Sequence, residues 1–208
     1  WKATLVADLV ARVELAITDN TIAQQPEISE EQVLIASKGE LHIQMIDRGS
    51  VYALEIIAPD KTGLLSIVSG VLNLLRLDVR SARTKTLGSV AVMEWIVVPD
   101  ANAPLLTEDA LAKELNSAFK SDSKLHERLQ ARIDAYAQLP SIPVPDPVVE
   151  TFNDAATDAT IIEVRSHDRP ALLYRIGDAI ADCRVDIRSA IVATLGAEAI
   201  DTLYVTEI

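Results

Sequence analysis

Cysteine is nearly absent from this chain of 208 residues, where Cys183 stands alone. That excludes an internal disulfide framework and a thiolate metal cluster, and fits a reducing cytosol. Basic charge is also scarce. Lys and Arg total 19 against 31 Asp and Glu, for a net charge of −12. The surface field therefore repels phosphate backbones and anionic headgroups, which argues against nucleic-acid and membrane partners. Long apolar runs are missing as well: the longest, such as GLLSIVSGVLNLL, are broken by Ser, Gly and Asn and fall short of the ~20 apolar residues that span a bilayer. No signal-peptide pattern stands at the start. The chain opens on Trp1 without Met and ends in the apolar DTLYVTEI, so it is expected to be a piece of something longer.

What is present is 49% hydrophobic and 24% charged sequence, enough for one large domain or two small ones. A phrase is written twice, DVRSARTKTLG at Asp78–Gly88 and DIRSAIVATLG at Asp186–Gly196. A shift of 108 positions also aligns Asp60 with Asp168 and Leu64–Leu65 with Leu172–Leu173 without a gap. A period this long signals duplicated domains. In each copy a β-rich run (VYALEIIA or ATIIEVRS) precedes a helical stripe. The stripe is Leu64, Leu65, Val68, Leu72 and Leu75 in one copy, and Leu172, Leu173, Ile176, Ile180 and Cys183 in the other. The repeated phrase then runs through a Leu-Gly turn into VAVMEWIVV or EAIDTLYVT, a β-hairpin. The unit is strand, helix, strand, strand. Its third strand is apolar on both faces, so the sheet face away from the helices is expected to pack on another sheet, in the same chain or in a partner subunit, through Trp95, Ile96, Leu203 and Tyr204.

Leu5, Leu9, Val13 and Ile17 predict a helix over Trp1–Ile17, and Ser29, Gln32 and Gly39 mark the ends of a short second one. ELHIQMI (Glu40–Ile46) alternates as a strand and is separated by DRGS from the strand at Val51, making a hairpin. Two further helices are read over Thr107–Phe119 and Ser123–Gln138, before the Pro-rich LPSIPVPDPVV. VVETFND (Val148–Asp154) stands before the second copy as ELHIQMI stands before the first, and is expected to cover the edge of Ala159–Ser166. The organisation expected is a helical segment over 1–38, a first unit over 39–139, a linker over 140–147 and a second unit over 148–208 that lacks its C-terminal part.

The phrases APDKTGLLSIVSGVL…LDVRSARTKTLG and SHDRPALLYRIGDAI…VDIRSAIVATLGAEAIDTLYVTE resemble the tandem ACT domains at the C-terminal end of bifunctional PII uridylyltransferase/uridylyl-removing enzymes. The resemblance covers the chain from about Gly39 onward. It implies an α+β fold of two ferredoxin-like ACT domains, antiparallel sheets with helices on one face, after a helical N-terminal segment. It also implies a cytoplasmic glutamine sensor that controls nitrogen metabolism through the PII protein, by way of the parent enzyme. The parent's Gly-Ser…Asp-Asp nucleotidyltransferase motif and His-rich metal motif are not present in this sequence. No cofactor is therefore expected in this piece, although the parent's chemistry implies a divalent metal. ACT–ACT packing is expected within the chain or in a homodimer. Copy two departs from the family in having Ala171 where glycine is usual, and copy one has DKTG in place of DRPG.

In an ACT fold the ligand sits where the first strand meets the first helix, which the resemblance places at Asp60, Lys61, Gly63 and Leu64 and at Asp168, Arg169, Ala171 and Leu172. An Asp suits a ligand ammonium, and free helix N–H groups suit its carboxylate. The competing reading makes Asp60 and Asp168 helix N-caps, with Pro170 in the first helical turn. Gly63 lets a ligand approach the backbone closely, whereas Ala171, expected to be helical with φ negative, adds the bulk of a methyl group without strain, so the first loop is expected to tolerate a ligand at least as well as the second. His167–Asp168 spells HD, but His42 and His126 lie elsewhere and no converging metal set follows. Cys183 falls on the stripe as a small buried hydrophobe, and Arg80 and Arg188 are expected to pair with neighbouring acids. Two functions stay open, an amino-acid sensor and an assembly module that joins subunits without a ligand. Neither needs catalysis by this piece, which has no nucleophile beside a base.

Overall fold

The computed structural model describes residues 30–38, 40–101, 103–137, 144–152 and 159–207. Eight strands form one antiparallel sheet: β1 (His42–Asp47), β2 (Tyr52–Pro59), β3 (Leu77–Leu87), β4 (Val90–Pro99), β5 (Val148–Phe152), β6 (Thr160–His167), β7 (Val185–Leu195) and β8 (Glu198–Glu207). Their order is β1-β2-β4-β3-β7-β8-β6-β5. Five helices are described: α1 (Glu30–Ser37), α2 (Leu64–Leu74), α3 (Glu108–Lys120), α4 (Asp122–Ala137) and α5 (Leu172–Asp182). The helix expected over Trp1–Ile17, and the markers Ser29 and Gly39, lie outside the described residues.

The duplication is visible in the hydrogen-bond register. Tyr52 faces Val97 in the first unit and Thr160 faces Val205 in the second, each shifted by 108, and the bulge at Val79/Ser81 recurs at Ile187/Ser189. Gly88 and Gly196 take φ of 65° and 67° in the hairpin turns, a conformation that glycine adopts without steric cost. β1 pairs with β2 and β5 with β6, so each unit opens one strand early and a short strand covers its outer edge. That cover is the one expected from ELHIQMI and VVETFND. Thr107 caps α3 by accepting the Ala110 N–H, and Glu108 and Asp109 suit the positive end of that helix.

The two half-sheets do not stack face to face. They join edge to edge where β3 meets β7, with Ser81 opposite Ala193, Arg83 opposite Ile191 and Lys85 opposite Ser189. Arg83 and Ile191 are themselves 108 apart, so a local two-fold axis crosses the seam at that pair. The twice-written phrase is thus the strand with which each unit holds the other. Trp95 and Leu203, expected on a sheet-to-sheet contact, are 1% and 0% exposed within the main core, while Ile96 and Tyr204 alternate to the other face and are half-buried. In the first unit that other face is not bare: Ile57, Val90 and Val92 form a separate buried cluster, and α1 lies against β1, β2 and β4.

Above the seam α2 packs on α5. Ser66 Oγ donates to the Tyr174 carbonyl at 3.1 Å, joining two positions that are equivalent in the repeat. α4 closes over them, placing Leu125 and Leu129 in the same core. One core therefore serves both units.

Candidate functional site

The loop from β2 to α2 and its counterpart from β6 to α5 have the same build. Asp60 N–H donates to Ser89 O and Asp168 N–H to Ala197 O, tying each loop to its hairpin turn. A turn follows in which Leu64 N–H reaches Lys61 O and Leu172 N–H reaches Arg169 O. The helices therefore begin later than their sequences indicate. The N-cap residues are Gly63 and Ala171, both left-handed and without a side-chain cap bond. Asp60 and Asp168 are not caps, and Pro170 precedes the helix instead of lying in its first turn. Ala171 has φ 58°, not the negative value expected.

A left-handed alanine costs roughly 1–2 kcal/mol. A Cβ at Gly63 would meet only Ala181 Cβ, at 3.8 Å. Gly63→Ala is thus expected to lose about 1 kcal/mol through the backbone alone. Ala171→Gly should cost nothing or gain up to about 1 kcal/mol, because relief of the strained φ offsets the freer unfolded chain. Urea titration of both variants checks this, and equal losses in the two would contradict it.

The seam brings each loop beside the other unit's copy of the repeated phrase. Burial raises the pKa of Asp60, Asp186 of the second unit adds to this, and Thr86, Arg188 and the Lys61 N–H oppose it. At Asp168 burial again leads, followed by Asp78 of the first unit, against Arg80, the Arg169 N–H and His167. Arg188 lies 3.4 Å from Asp186, an ion pair of the kind expected.

The two junctions differ in space. Around Asp60, Lys61, Gly63 and Leu64 the cavity measures about 20 Å³. Around Asp168, Arg169, Ala171 and Leu172 it measures about 370 Å³ and is closed by α2, the start of β3 and α4, through Asn73, Asp78 and Arg132. That is within the range of small-molecule sites. The expectation that the first loop would be at least as accommodating does not match these volumes: the position equivalent to Asp201 on β8, which lines the larger cavity, is Met93 on β4, buried in the main core. Lys61 turns away, its ammonium 4.8 Å above the Phe119 ring.

Asp201 was not singled out from the sequence. It is 1% exposed, and its Oδ1 has no hydrogen-bond partner, nor has Oδ1 of Asn73 in the same cavity. Burial, then the nearby Asp168, raises its pKa to about 7. The sequence did carry a signal for it: alternation with the buried Ala199, Leu203 and Val205 puts position 201 on the core face, where the other copy has methionine.

Other candidates are placed apart from the cavity or outside it. His126 Nδ1 lies 2.8 Å from the Tyr174 hydroxyl, and His42 is on β1. Cys183, expected to be buried, is the exposed C-cap of α5, because the helix ends there and Arg184 turns left-handed. Among the described residues no group of three or more His, Cys, Asp or Glu is placed to hold a metal. Among them, too, no helix is long and apolar enough to cross a membrane.

Two similar α+β units side by side in one antiparallel sheet, with their strand-to-helix junctions facing a shared seam, make a duplicated fold of the ferredoxin-like kind. No family model matches the chain, but curated relatives do. The bifunctional uridylyltransferase/uridylyl-removing enzyme of Streptomyces coelicolor is 37% identical over 160 residues, covering 74% of this chain and 19% of the relative. That of Mycobacterium tuberculosis strain H37Rv is 30% identical over 220 aligned residues, covering 99% and 27%. The chain belongs to this family as a part of it, spanning about a fifth to a quarter of the length of the curated relatives it matches. Among solved structures, aspartate kinase from Synechocystis is similar with a TM-score of 0.38 and 13% identity, over 76% of this chain and 24% of that one.

Proposed function

We propose that the chain is the C-terminal regulatory region of a bifunctional uridylyltransferase/uridylyl-removing enzyme, and that it senses glutamine without performing catalysis itself. The observation that supports this best is the cavity of about 370 Å³ between the two units, which gathers Asp168, the start of α5 and Arg132. A free amino acid carries a carboxylate for first-turn N–H groups and guanidinium, and an ammonium for a carboxylate. Because both units wall the cavity, an occupant is favoured by one arrangement of the seam over others. That difference is what a regulator passes to attached domains. In the whole enzyme this would shift the balance between adding a nucleotide to PII and removing it, in the cytoplasm, as nitrogen supply changes.

Thermal unfolding with and without L-glutamine tests the reading. At one hundred times Kd, a ligand that binds only the folded chain adds about 2.7 kcal/mol, expected here as a rise in Tm of about 5–10 °C. L-glutamate and the other amino acids are the comparison. A chain whose Tm no amino acid moves at millimolar concentration would be an assembly module and not a sensor.

A further inference from the structure

We propose that the second unit's cavity seats the ammonium of a free amino acid between Asp168 and Asp201, and that the first unit's counterpart seats none. For the class of ligand this rests on the sensing reading above. The choice of residue and of unit rests on the geometry.

A buried carboxyl oxygen without a partner costs stability and calls for an explanation. Asp201 has Val164 and Val192 opposite it on the two neighbouring strands, so neither directly facing residue offers its side chain a polar group. What faces it is the cavity. From the β6–α5 loop come Asp168 and Arg169, from β3 Asp78, from beyond β4 Asp100, and from α4 Arg132. Asp168 feels Asp78, and Asp201 feels Asp168, so Asp168 is repelled from two sides of the cavity. Arg80 and His167 also act on Asp168. A cation seated among three carboxyls relieves their repulsion and gives the Asp201 oxygen its missing donor, which a second carboxylate would not do.

The first unit keeps the loop and the partner acid, Asp60 and Asp186, but has Met93, 0% exposed, where Asp201 stands, and a space of about 20 Å³. That space holds about one water molecule.

The proton balance is simple. Without ligand, Asp201 is a carboxylic acid in part of the population near neutral pH, as its pKa of about 7 requires. When the ammonium seats, the Asp201 O–H proton passes to solvent and the resulting carboxylate accepts an N–H of the ligand. No covalent bond changes.

Titration calorimetry of the whole chain with L-glutamine, in two buffers of different ionisation enthalpy, reads both binding and proton release. The expected result is one site per chain with proton release near neutral pH that grows as the pH is lowered toward 6. Asp201→Asn should abolish the release and weaken binding roughly tenfold or more. Asp60→Ala should change neither. Glutaramic acid, which is glutamine without its ammonium, should bind at least about tenfold more weakly than L-glutamine. Two sites per chain, unchanged proton release in Asp201→Asn, or loss of binding in Asp60→Ala would overturn the inference while leaving glutamine sensing intact. If the wild-type chain binds no amino acid, the sensing reading falls and this inference falls with it.

Discussion

Asp201→Met, which copies Met93 of the first unit into the second, is expected to make the chain more stable at pH 8 by up to roughly 4 kcal/mol. The figure is the rise of Asp201 from 3.8 to about 7 at 1.36 kcal/mol for each pH unit. Well below pH 3.8, the ordinary value, both the folded and the unfolded chain carry the proton, and wild-type Asp201 incurs no ionisation penalty. As pH rises from there toward 7 the unfolded chain releases a proton that the folded chain retains, so stability falls. Above about pH 7 the carboxylate is charged in a buried site and the whole cost is present. Asp60 is also raised and slopes the same way, but it persists in the variant and cancels in the comparison, whereas the repulsion between Asp168 and Asp201 is lost with Asp201 and is part of the difference. Urea unfolding of both proteins from pH 5 to pH 8 should therefore give curves that diverge with rising pH. Curves that stay parallel would show that Asp201 ionises freely, which would remove the energetic reason for giving it a ligand-binding role. A residue that weakens the apo fold, and is matched by methionine where the cavity shrinks to about 20 Å³, is better explained by a ligand than by packing.

Much of this architecture can be read directly from the amino acids, because the repeat aligns without a gap and a two-residue period fixes which faces are buried. Both outer hairpins and the capped start of α3 follow in the same way, from alternation and from Thr107. The joining of the half-sheets does not. A third strand apolar on both faces asks for cover without saying of what kind, and edge pairing between β3 and β7 is made by backbone groups that every residue possesses. The helix starts are misread for a related reason. Asp is a favoured cap wherever it occurs, whereas an extra turn closed by Leu64 N–H to Lys61 O depends on a left-handed residue at 63 and 171. Glycine permits that conformation and alanine argues against it, so Ala171 points to the wrong geometry. Cys183 is misplaced by one helical residue, since a stripe does not state where it ends. Asp201 was legible in principle, as a charged residue at a core-facing register position.

Gly177→Leu is expected to cost more than 3 kcal/mol, beyond the ~1–3 kcal/mol usual for overpacking, because it would drive a wedge between α2 and α5. A Cβ at Gly177 would stand 3.1 Å from Ser66 Cβ and 3.2 Å from its Cα and N. The obstacle is backbone, not the yielding end of a side chain. On the opposite helix the same closeness shows at Gly70, where a Cβ would come within 2.8 Å of Leu129 Cδ1 and 2.9 Å of Tyr174 Cδ2. Gly177→Ala separates sterics from propensity. Alanine is worth up to about 1 kcal/mol over glycine inside a helix, so a gap of a few tenths of an ångström should leave it near neutral or mildly destabilised, well short of leucine. The crossing also positions Tyr174, which lines the cavity, and fixes the Ser66 bond to its carbonyl. Leucine should accordingly weaken L-glutamine binding even at temperatures where the chain is still folded, whereas alanine should not. Chemical denaturation with calorimetry on both variants decides it. If leucine were tolerated within about 1 kcal/mol, the helices would be free to part, and the cavity would owe its shape to the β3–β7 seam alone.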